Sequence, residues 1–509
     1  MTATMWGRMG LSALSGALVV LSLPPFDAAP LAWVGLVPLL WALRGVRPRT
    51  AAGRGFVAGL VAELAELSWI PTPLVVYGNL PYALGLLALV SLAAYLALYV
   101  AAFAAGMAWL QARQDGAEVP GGPLLWVALE YGRTYLLSGF PWLLLGYSQY
   151  QVLPVLQIAD VTGIYGVSGL LVLVNVLLAR AAQALGAGDP LPRRELTAGG
   201  ALVALVLAYG GWQLHRVRGA WEAGTPLKVG VVQGNIDQAR KWRPEFQQAT
   251  LAHYERLTRG LAEARPMLVV WPETATPFYF QASREFQPVL FGLADALRAA
   301  LLFGSPGMAY ASSELQFHNS AFLVQPGGQV LGRYDKLHLV PFGEYIPLAW
   351  LVGRTGGLIQ GAGAFSPGQG QTLLPLGSLR IGVLICYEAI FPELSRRAVR
   401  AGAGLLVNLT NDAWFGRTGA PAQHLAMTVV RAVENRVPVV RAANTGISAV
   451  VGTDGAIRAT LPQFRRGSLV EVVRLSQGGS LYTRIGDLFA QLCAAGAVLL
   501  GVILCRRRP

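Results

Sequence analysis

The 509-residue sequence predicts a polytopic α-helical membrane domain of eight spans joined to a single α/β domain. Three observations lead there. Hydrophobic residues make up 54% of the chain and charged residues only 13%, about half the charged fraction of an ordinary soluble domain. Apolar stretches long enough to cross a bilayer recur through the first 215 residues and once more near the end. From about residue 227 the pattern changes to short β-branched strands alternating with amphipathic segments, as an α/β fold requires.

The same composition removes several classes. High hydrophobicity with low charge excludes a disordered chain. The 60 Gly and 31 Pro show no Gly-X-Y period, so a collagen-like chain is excluded. Three cysteines, Cys386, Cys493 and Cys505, build neither a disulfide framework nor a zinc cluster at any usual spacing. The formal net charge of +13 raises nucleic acid as a partner, but no nucleic-acid-binding motif accompanies it, and none is expected. Only three of the 40 basic residues are lysine: Lys228, Lys241 and Lys336.

The eight spans fall at 9–23, 30–45, 55–73, 82–110, 122–137, 164–186, 197–214 and 488–505. The first follows Arg8 and stops at Pro24-Pro25, like a secretory signal in outline. Further spans follow at once, so it reads as an uncleaved helix. The weakest is 122–137, interrupted by Glu130 and Arg133, which lie three apart on one helical face and can pair inside the bundle.

Basic residues set the orientation. Arg44, Arg47, Arg49 and Arg54 lie between the second and third spans, Arg113 between the fourth and fifth, and Arg193 and Arg194 between the sixth and seventh. Arg506, Arg507 and Arg508 follow the last span, whereas loops 24–29, 74–81 and 138–163 are nearly free of positive charge. The positive-inside rule puts both termini in the cytoplasm of a bacterial inner-membrane protein and the long insertion in the periplasm. The domains are then 1–215 with seven spans, 216–487 as the periplasmic domain, and 488–509 as the eighth span and tail. Phe140, Pro141, Trp142, Tyr147 and Tyr150 in the 138–163 loop read as an interfacial aromatic belt.

In the insertion, LKVGVVQGN (227–235) and MLVVW (267–271) read as strands. Others are expected at 300–304, 318–325, 329–334, 380–385, 404–409, 437–442, 447–452 and 469–473, with helices at 246–264, 285–299, 391–400 and 423–436. No repeat or long linker interrupts it, and about 270 residues suffice for one domain.

Three strings end strands on reactive side chains. LVVWPETA presents Glu273, GRYDKLHLVPFGEYIP presents Lys336 and Glu344, and RIGVLICYEAIFPE presents Cys386, Tyr387 and Glu388. Side chains at strand C-termini converge on the usual active-site edge of an α/β sheet. Separately, each has a bland reading: an inert core thiol, a helix-capping carboxylate, a solvated lysine. Together they make a nucleophilic site. A thiol of pKa about 8.5 needs help at neutral pH. Lys336 can stabilise a thiolate and the oxyanion formed on attack, and Glu273 can take the thiol proton and return it to a leaving group. None of the five histidines has triad or metal spacing; a zinc site through His318 and His338 is the minor reading, and no metal or cofactor is expected.

In this order, the three strings resemble the nitrilase (carbon–nitrogen hydrolase) superfamily, which carries a Glu–Lys–Cys triad on an α-β-β-α sandwich. With VVQGNI (231–236), VPFGEYIP (340–347), NLTNDAWFG (408–416) and the flanking spans, the chain is similar over essentially its whole length to the superfamily's membrane-bound, lipoprotein-acylating branch. The resemblance implies a ping-pong acyl transfer. Cys386 would attack the sn-1 ester of a phospholipid, typically phosphatidylethanolamine, and release a lysophospholipid. The thioester would then pass its acyl chain to the N-terminal amine of a diacylglyceryl-modified apolipoprotein, giving triacylated lipoprotein. By likeness, Glu344 supports the site, and Tyr387, Glu388 and Trp242 shape or orient it. Asn319 and Trp414 are further supporting positions for which structural roles weigh equally. Partners are then the phospholipid, the apolipoprotein and membrane lipid, with a monomer as default.

The segment 345–365, YIPLAWLVGRTGGLIQGAGAF, is apolar and Gly-rich and carries Trp350 and Leu351. It reads as an arm dipping into the outer leaflet to gate lipid entry, against a buried loop of the sandwich. Two other functions compete. A membrane-tethered amidase would use the same triad with water resolving the thioester, but eight spans exceed what a tether needs. A transporter with a dead sandwich domain predicts loss of the triad, yet Glu273, Lys336 and Cys386 are all present. Its spans also offer few acidic residues: Glu63, Glu66 and Glu130.

Overall fold

The computed structural model describes residues 5–311, 314–345, 365–475 and 478–506; the arm residues Trp350 and Leu351 lie outside them. The chain forms two compact units, one of Met1–Ile70, Ala83–His215 and Ile485–Pro509, the other of Pro71–Tyr82 and Arg216–Arg484.

The first unit is helical. Among the described residues, five helices are long and apolar enough to cross a membrane: Met5–Ser22, Tyr82–Arg113, Ile164–Ala187, Arg193–Ala223 and Leu488–Arg506. The other three expected spans are also helical, but broken or charged. The 30–45 stretch divides into a 3-10 turn, Ala29–Trp33, and a helix, Val37–Ala42, each with a proline in its first turn. Helix Pro48–Glu66 carries Arg49, Arg54, Glu63 and Glu66. Helix Glu118–Tyr135 carries Glu118, Glu130 and Arg133.

Two expectations for this unit are corrected. Arg133 does not pair with Glu130. Its Nη1 donates to Glu63 Oε1 at 2.7 Å and its Nη2 to the Trp142 carbonyl at 2.8 Å. Glu130 instead accepts from Trp126 Nε1 at 2.8 Å and Leu145 N at 2.9 Å. The loop backbone takes up Glu130, and the long guanidinium reaches another helix. Nor do the aromatic residues of the 138–163 loop form a belt: Trp142, Tyr147 and Tyr150 are buried, and Trp142 packs on Trp69 with ring centroids 4.7 Å apart.

The second unit holds two six-stranded sheets. The strands are β1 Thr225–Gln233, β2 Leu268–Val270, β3 Ala300–Ala311, β4 Glu314–Gln325, β5 Gln329–Asp335, β6 Leu373–Leu376, β7 Leu379–Ile385, β8 Leu405–Thr410, β9 Val439–Ala443, β10 Ser448–Val451, β11 Ile457–Leu461 and β12 Gly467–Leu475. The first sheet runs β12-β1-β2-β3-β4-β5 and the second β11-β10-β9-β8-β7-β6. Strands β1, β2 and β3 are mutually parallel, as are β7, β8 and β9. Because β4 is antiparallel to both β3 and β5, the ends of β2 and β5 share one edge of the first sheet.

Val229, Val231, Leu302 and Leu323 of the first sheet pack with Val383, Ile385, Val407 and Val440 of the second in one buried layer. The alternate residues Val232, Val269, Trp271 and Phe303 face the other way, into a second cluster with Leu251, Tyr254, Leu290 and Leu293. Those partners come from helices Pro244–Arg259 and Gln287–Leu297. Helices Pro392–Arg400 and Ala420–Asn435 pack on the second sheet. This is the period-two alternation of strands with a face on each side, and it yields the α-β-β-α order that the resemblance implies.

Candidate active site

Glu273 follows β2 in a turn that lies directly on β3. A Cβ on Gly304 would stand 2.4 Å from Thr274 N and 2.7 Å from Glu273 Cα, so only glycine admits this approach. Thr274 has φ +43°, an outlying conformation for a β-branched residue. Lys241 braces the turn from below, its Nζ donating to the Glu273 carbonyl at 3.2 Å and to Thr274 Oγ1 at 2.6 Å. Burial lowers the Lys241 pKa to about 8, against the pull of Glu273 and Cys386.

Lys336 follows β5, and its backbone N–H donates to the Asn319 carbonyl of β4 at 2.9 Å. The side chain is only 1% exposed, with Nζ 2.8 Å from Glu344 Oε2 and 3.8 Å from Glu273 Oε1. Burial opposes its charge, but Glu344 and Glu273 together hold its pKa above the ordinary lysine value. Asn319 Nδ2 joins the two carboxylates, donating to Glu273 Oε1 at 2.7 Å and Glu344 Oε1 at 2.8 Å. Backbone donors complete both: Asn411 N reaches Glu273 Oε2 at 2.8 Å, and Val340 N reaches Glu344 Oε2 at 2.8 Å.

Cys386 follows β7 directly and opens the 3-10 turn Cys386–Ile390 with φ +52°. Such a conformation costs on the order of 1–3 kcal/mol and persists only where the surroundings over-determine it. Burial and the nearby Glu273 carboxylate push the thiol pKa up, while Lys336 acts in the opposite direction. At rest the sulfur is therefore protonated, and the lysine charge is answered by glutamate.

Glu388 ties the cysteine turn to the lysine loop. Its carboxylate accepts from Ile385 N at 2.6 Å, Leu337 N at 2.6 Å, His338 N at 3.1 Å and Tyr334 OH at 2.9 Å. Burial raises its pKa to about 7, against these backbone donors and the charge of Lys336. Tyr387 is buried with its ring edge-on to Phe391. Trp242 is 40% exposed, and Trp414 lies edge-on to Tyr77 with centroids 5.1 Å apart. Among the described contacts, neither tryptophan touches the carboxylates or the lysine. His318 Nδ1 lies 2.8 Å from the Ser366 carbonyl, and the His338 ring packs on Phe391.

Sequence reasoning passed over Lys241 and a fully buried cluster behind Cys386. The Cys386 carbonyl accepts from His424 Nε2 at 3.0 Å and from Asn408 Nδ2 at 3.4 Å. Arg441 donates to Asn408 Oδ1 at 2.5 Å and Asp412 Oδ2 at 2.6 Å, and its Nη2 lies 3.2 Å from His424 Nδ1. Burial and Arg441 lower the His424 pKa, whereas Arg441 and His424 overcome burial to hold Asp412 at about 2. Lysine scarcity and the NLTNDAWFG string were the available signals for Lys241, Asn408 and Asp412. Nothing local marks His424 or Arg441.

Chemically, a buried carboxylate, an ammonium and a thiol on a strained turn can perform proton transfer and nucleophilic attack on a carbonyl. Two family models match the chain: "Apolipoprotein N-acyltransferase N-terminal domain" over residues 15–177 and "Carbon-nitrogen hydrolase" over residues 228–482. A protein named apolipoprotein N-acyltransferase from Geobacter metallireducens is 48% identical over 504 residues, covering 98% of this chain and 95% of that protein. One of the same name from Azotobacter vinelandii is 37% identical over 519 residues, covering 99% and 96%. Among solved structures, an amidase from Nesterenkonia sp. matches 53% of this chain and 97% of its own at 24% identity, with a TM-score of 0.40.

Proposed function

The chain belongs to the apolipoprotein N-acyltransferase family, and on that premise we propose that it carries a fatty acyl chain from phospholipid to lipoprotein on Cys386. The donor is the sn-1 ester of a phospholipid, phosphatidylethanolamine in the first instance. The acceptor is the N-terminal amine of a diacylglyceryl-Cys apolipoprotein. The Asn319 bridge carries this reading, because it holds Glu273 and Glu344 around one buried lysine.

In the first half-reaction, Glu273 takes the Cys386 proton as Sγ attacks the ester carbonyl carbon. Lys336 faces the negative charge that builds on sulfur and oxygen. The C–O bond breaks, the proton passes from Glu273 to the glyceryl oxygen, and a lysophospholipid leaves. In the second, the lipoprotein amine attacks the thioester, Glu273 takes its proton, the C–S bond breaks and the thiol is re-formed. Glu344 answers the lysine charge at 2.8 Å, which leaves Glu273 available as base. No cofactor enters either half.

For the membrane, we infer eight spans with both termini cytoplasmic and residues 216–487 periplasmic, supported by the arginines of alternate loops. The chain is read as a monomer.

The reaction is tested by supplying the purified protein with phosphatidylethanolamine and a synthetic diacylglyceryl peptide. Triacylated peptide and lysophospholipid in equal amounts are expected. Release of free fatty acid with no peptide product marks a hydrolase and overturns transfer.

A further inference from the structure

The strained Cys386 backbone is gripped from behind. Its carbonyl is a pure acceptor, so His424 must carry its proton on Nε2, 3.0 Å away. His424 Nδ1 lies 3.2 Å from both Arg441 Nη2 and Asp412 Oδ1, and the same Arg441 Nη2 donates to Asp412 Oδ2 at 2.6 Å. Asn408 Nδ2, the second donor to the same carbonyl, has its own oxygen held by Arg441 Nη1 at 2.5 Å. One guanidinium therefore braces both donors, and all four side chains, Asn408, Asp412, His424 and Arg441, are buried. Gly446 admits the arrangement: a Cβ there would stand 2.0 Å from Asp412 Oδ2.

A trans peptide is planar, with its C=O and N–H pointing in opposite directions. Fixing the Cys386 carbonyl therefore also fixes the N–H of Tyr387, which points away from this cluster. We infer that His424 and Asn408 are positioning residues for acyl transfer: by holding the Cys386 carbonyl they aim the Tyr387 N–H at the oxygen that becomes negative when Sγ attacks. Arg441 is their shared brace. The inference rests on Cys386 being the acylated nucleophile, and its test separates the two claims.

Attack on a carbonyl builds an oxyanion; alkylation of the same sulfur by iodoacetamide does not. The rate of p-nitrophenol release from a p-nitrophenyl ester and the rate of Cys386 alkylation, located by mass spectrometry, are measured on the full-length protein at one pH. His424→Leu is expected to slow acylation by about 100-fold or more and to leave alkylation unchanged. His424→Gln, whose amide nitrogen reaches toward the carbonyl, restores most of the acylation. Where His424→Leu does not fold, His424→Asn, too short to reach the carbonyl, is expected to show the same split. A parallel loss of both rates, no loss of either, or no nitrophenol burst from the wild type overturns the inference. A wild type that gives the burst but takes no acyl chain from phosphatidylethanolamine defeats the phospholipid reading, and the split between the two rates still decides the positioning claim.

Discussion

The Lys336 ammonium is held 2.8 Å from Glu344 Oε2 in a setting that leaves the lysine side chain 1% exposed. Glu273 is a full ångström farther, at 3.8 Å. The nearer carboxylate makes the closer ion pair with the lysine, and in the proposed mechanism the farther one serves the thiol.

Removing Glu344 tests that division of labour. Glu344→Ala leaves a buried ammonium short of its nearest partner, which destabilises a protein by about 3–5 kcal/mol when a buried pair is broken. It also draws Lys336 toward Glu273. Thermal denaturation should show the loss of stability, and single-turnover acylation should slow by about 100-fold. A variant that melts and acylates like the wild type contradicts the assignment.

Lys241 braces the turn that carries Glu273, so its effect is geometric. Lys241→Met takes the donor from the Glu273 carbonyl and the Thr274 hydroxyl. A displacement of about 1 Å at a catalytic group can cost about 100-fold. Acylation should fall by one to two orders of magnitude, with KM for the acyl donor little altered. A change confined to KM points instead to substrate binding.

Glu388 supplies a pH signature. Burial raises its pKa to about 7 in the folded protein from 4.5, so the folded state binds the proton more tightly than the unfolded one. Its contribution to stability is fully present below pH 4.5 and is lost as pH rises through about 7. The ionised form suits its backbone donors better, so activity should rise over the upper part of that window. Glu388→Gln should flatten both slopes, read as melting temperature and acylation rate against pH. Slopes identical to wild type assign the titration to another group.

The raised Cys386 pKa makes a separate prediction about reactivity. Since burial and Glu273 oppose the thiolate, alkylation of Cys386 by iodoacetamide should be slow at pH 7 and still climbing above pH 9. A rate already at its plateau at pH 7 indicates a stored thiolate, with Lys336 rather than Glu273 activating the sulfur.

How much of this was legible in the sequence depended on how local each feature is. Glu273, Lys336 and Cys386 each follow the end of a strand, and strand ends can be read from a few neighbouring residues. Most strands and helices of the α/β domain appear where periodicity puts them. The short edge strands Leu373–Leu376 and Ile457–Leu461 lack a clear signal, since each is brief, the first half-buried and the second largely exposed. Asn319 looked no better than a structural residue, and its bridge between two carboxylates exists only once β4 lies beside both. His424 and Arg441 acquire meaning through burial behind a carbonyl, which no spacing encodes. In the helical unit, Arg133 found its partner 70 residues away in Glu63, where a local rule had paired it with Glu130. Loop tryptophan and tyrosine suggested an interface but serve as core, because nothing in their spacing reveals what packs over them.

The most direct measurement is the state of Cys386 after incubation with phosphatidylethanolamine and no acceptor. Acyl transfer through a thioester predicts one acyl chain on Cys386, removed by neutral hydroxylamine, absent from Cys386→Ala and formed much more slowly by Lys336→Met. An acylated Cys386→Ala protein, or a wild type that transfers acyl chains to peptide without ever carrying one on Cys386, would contradict it.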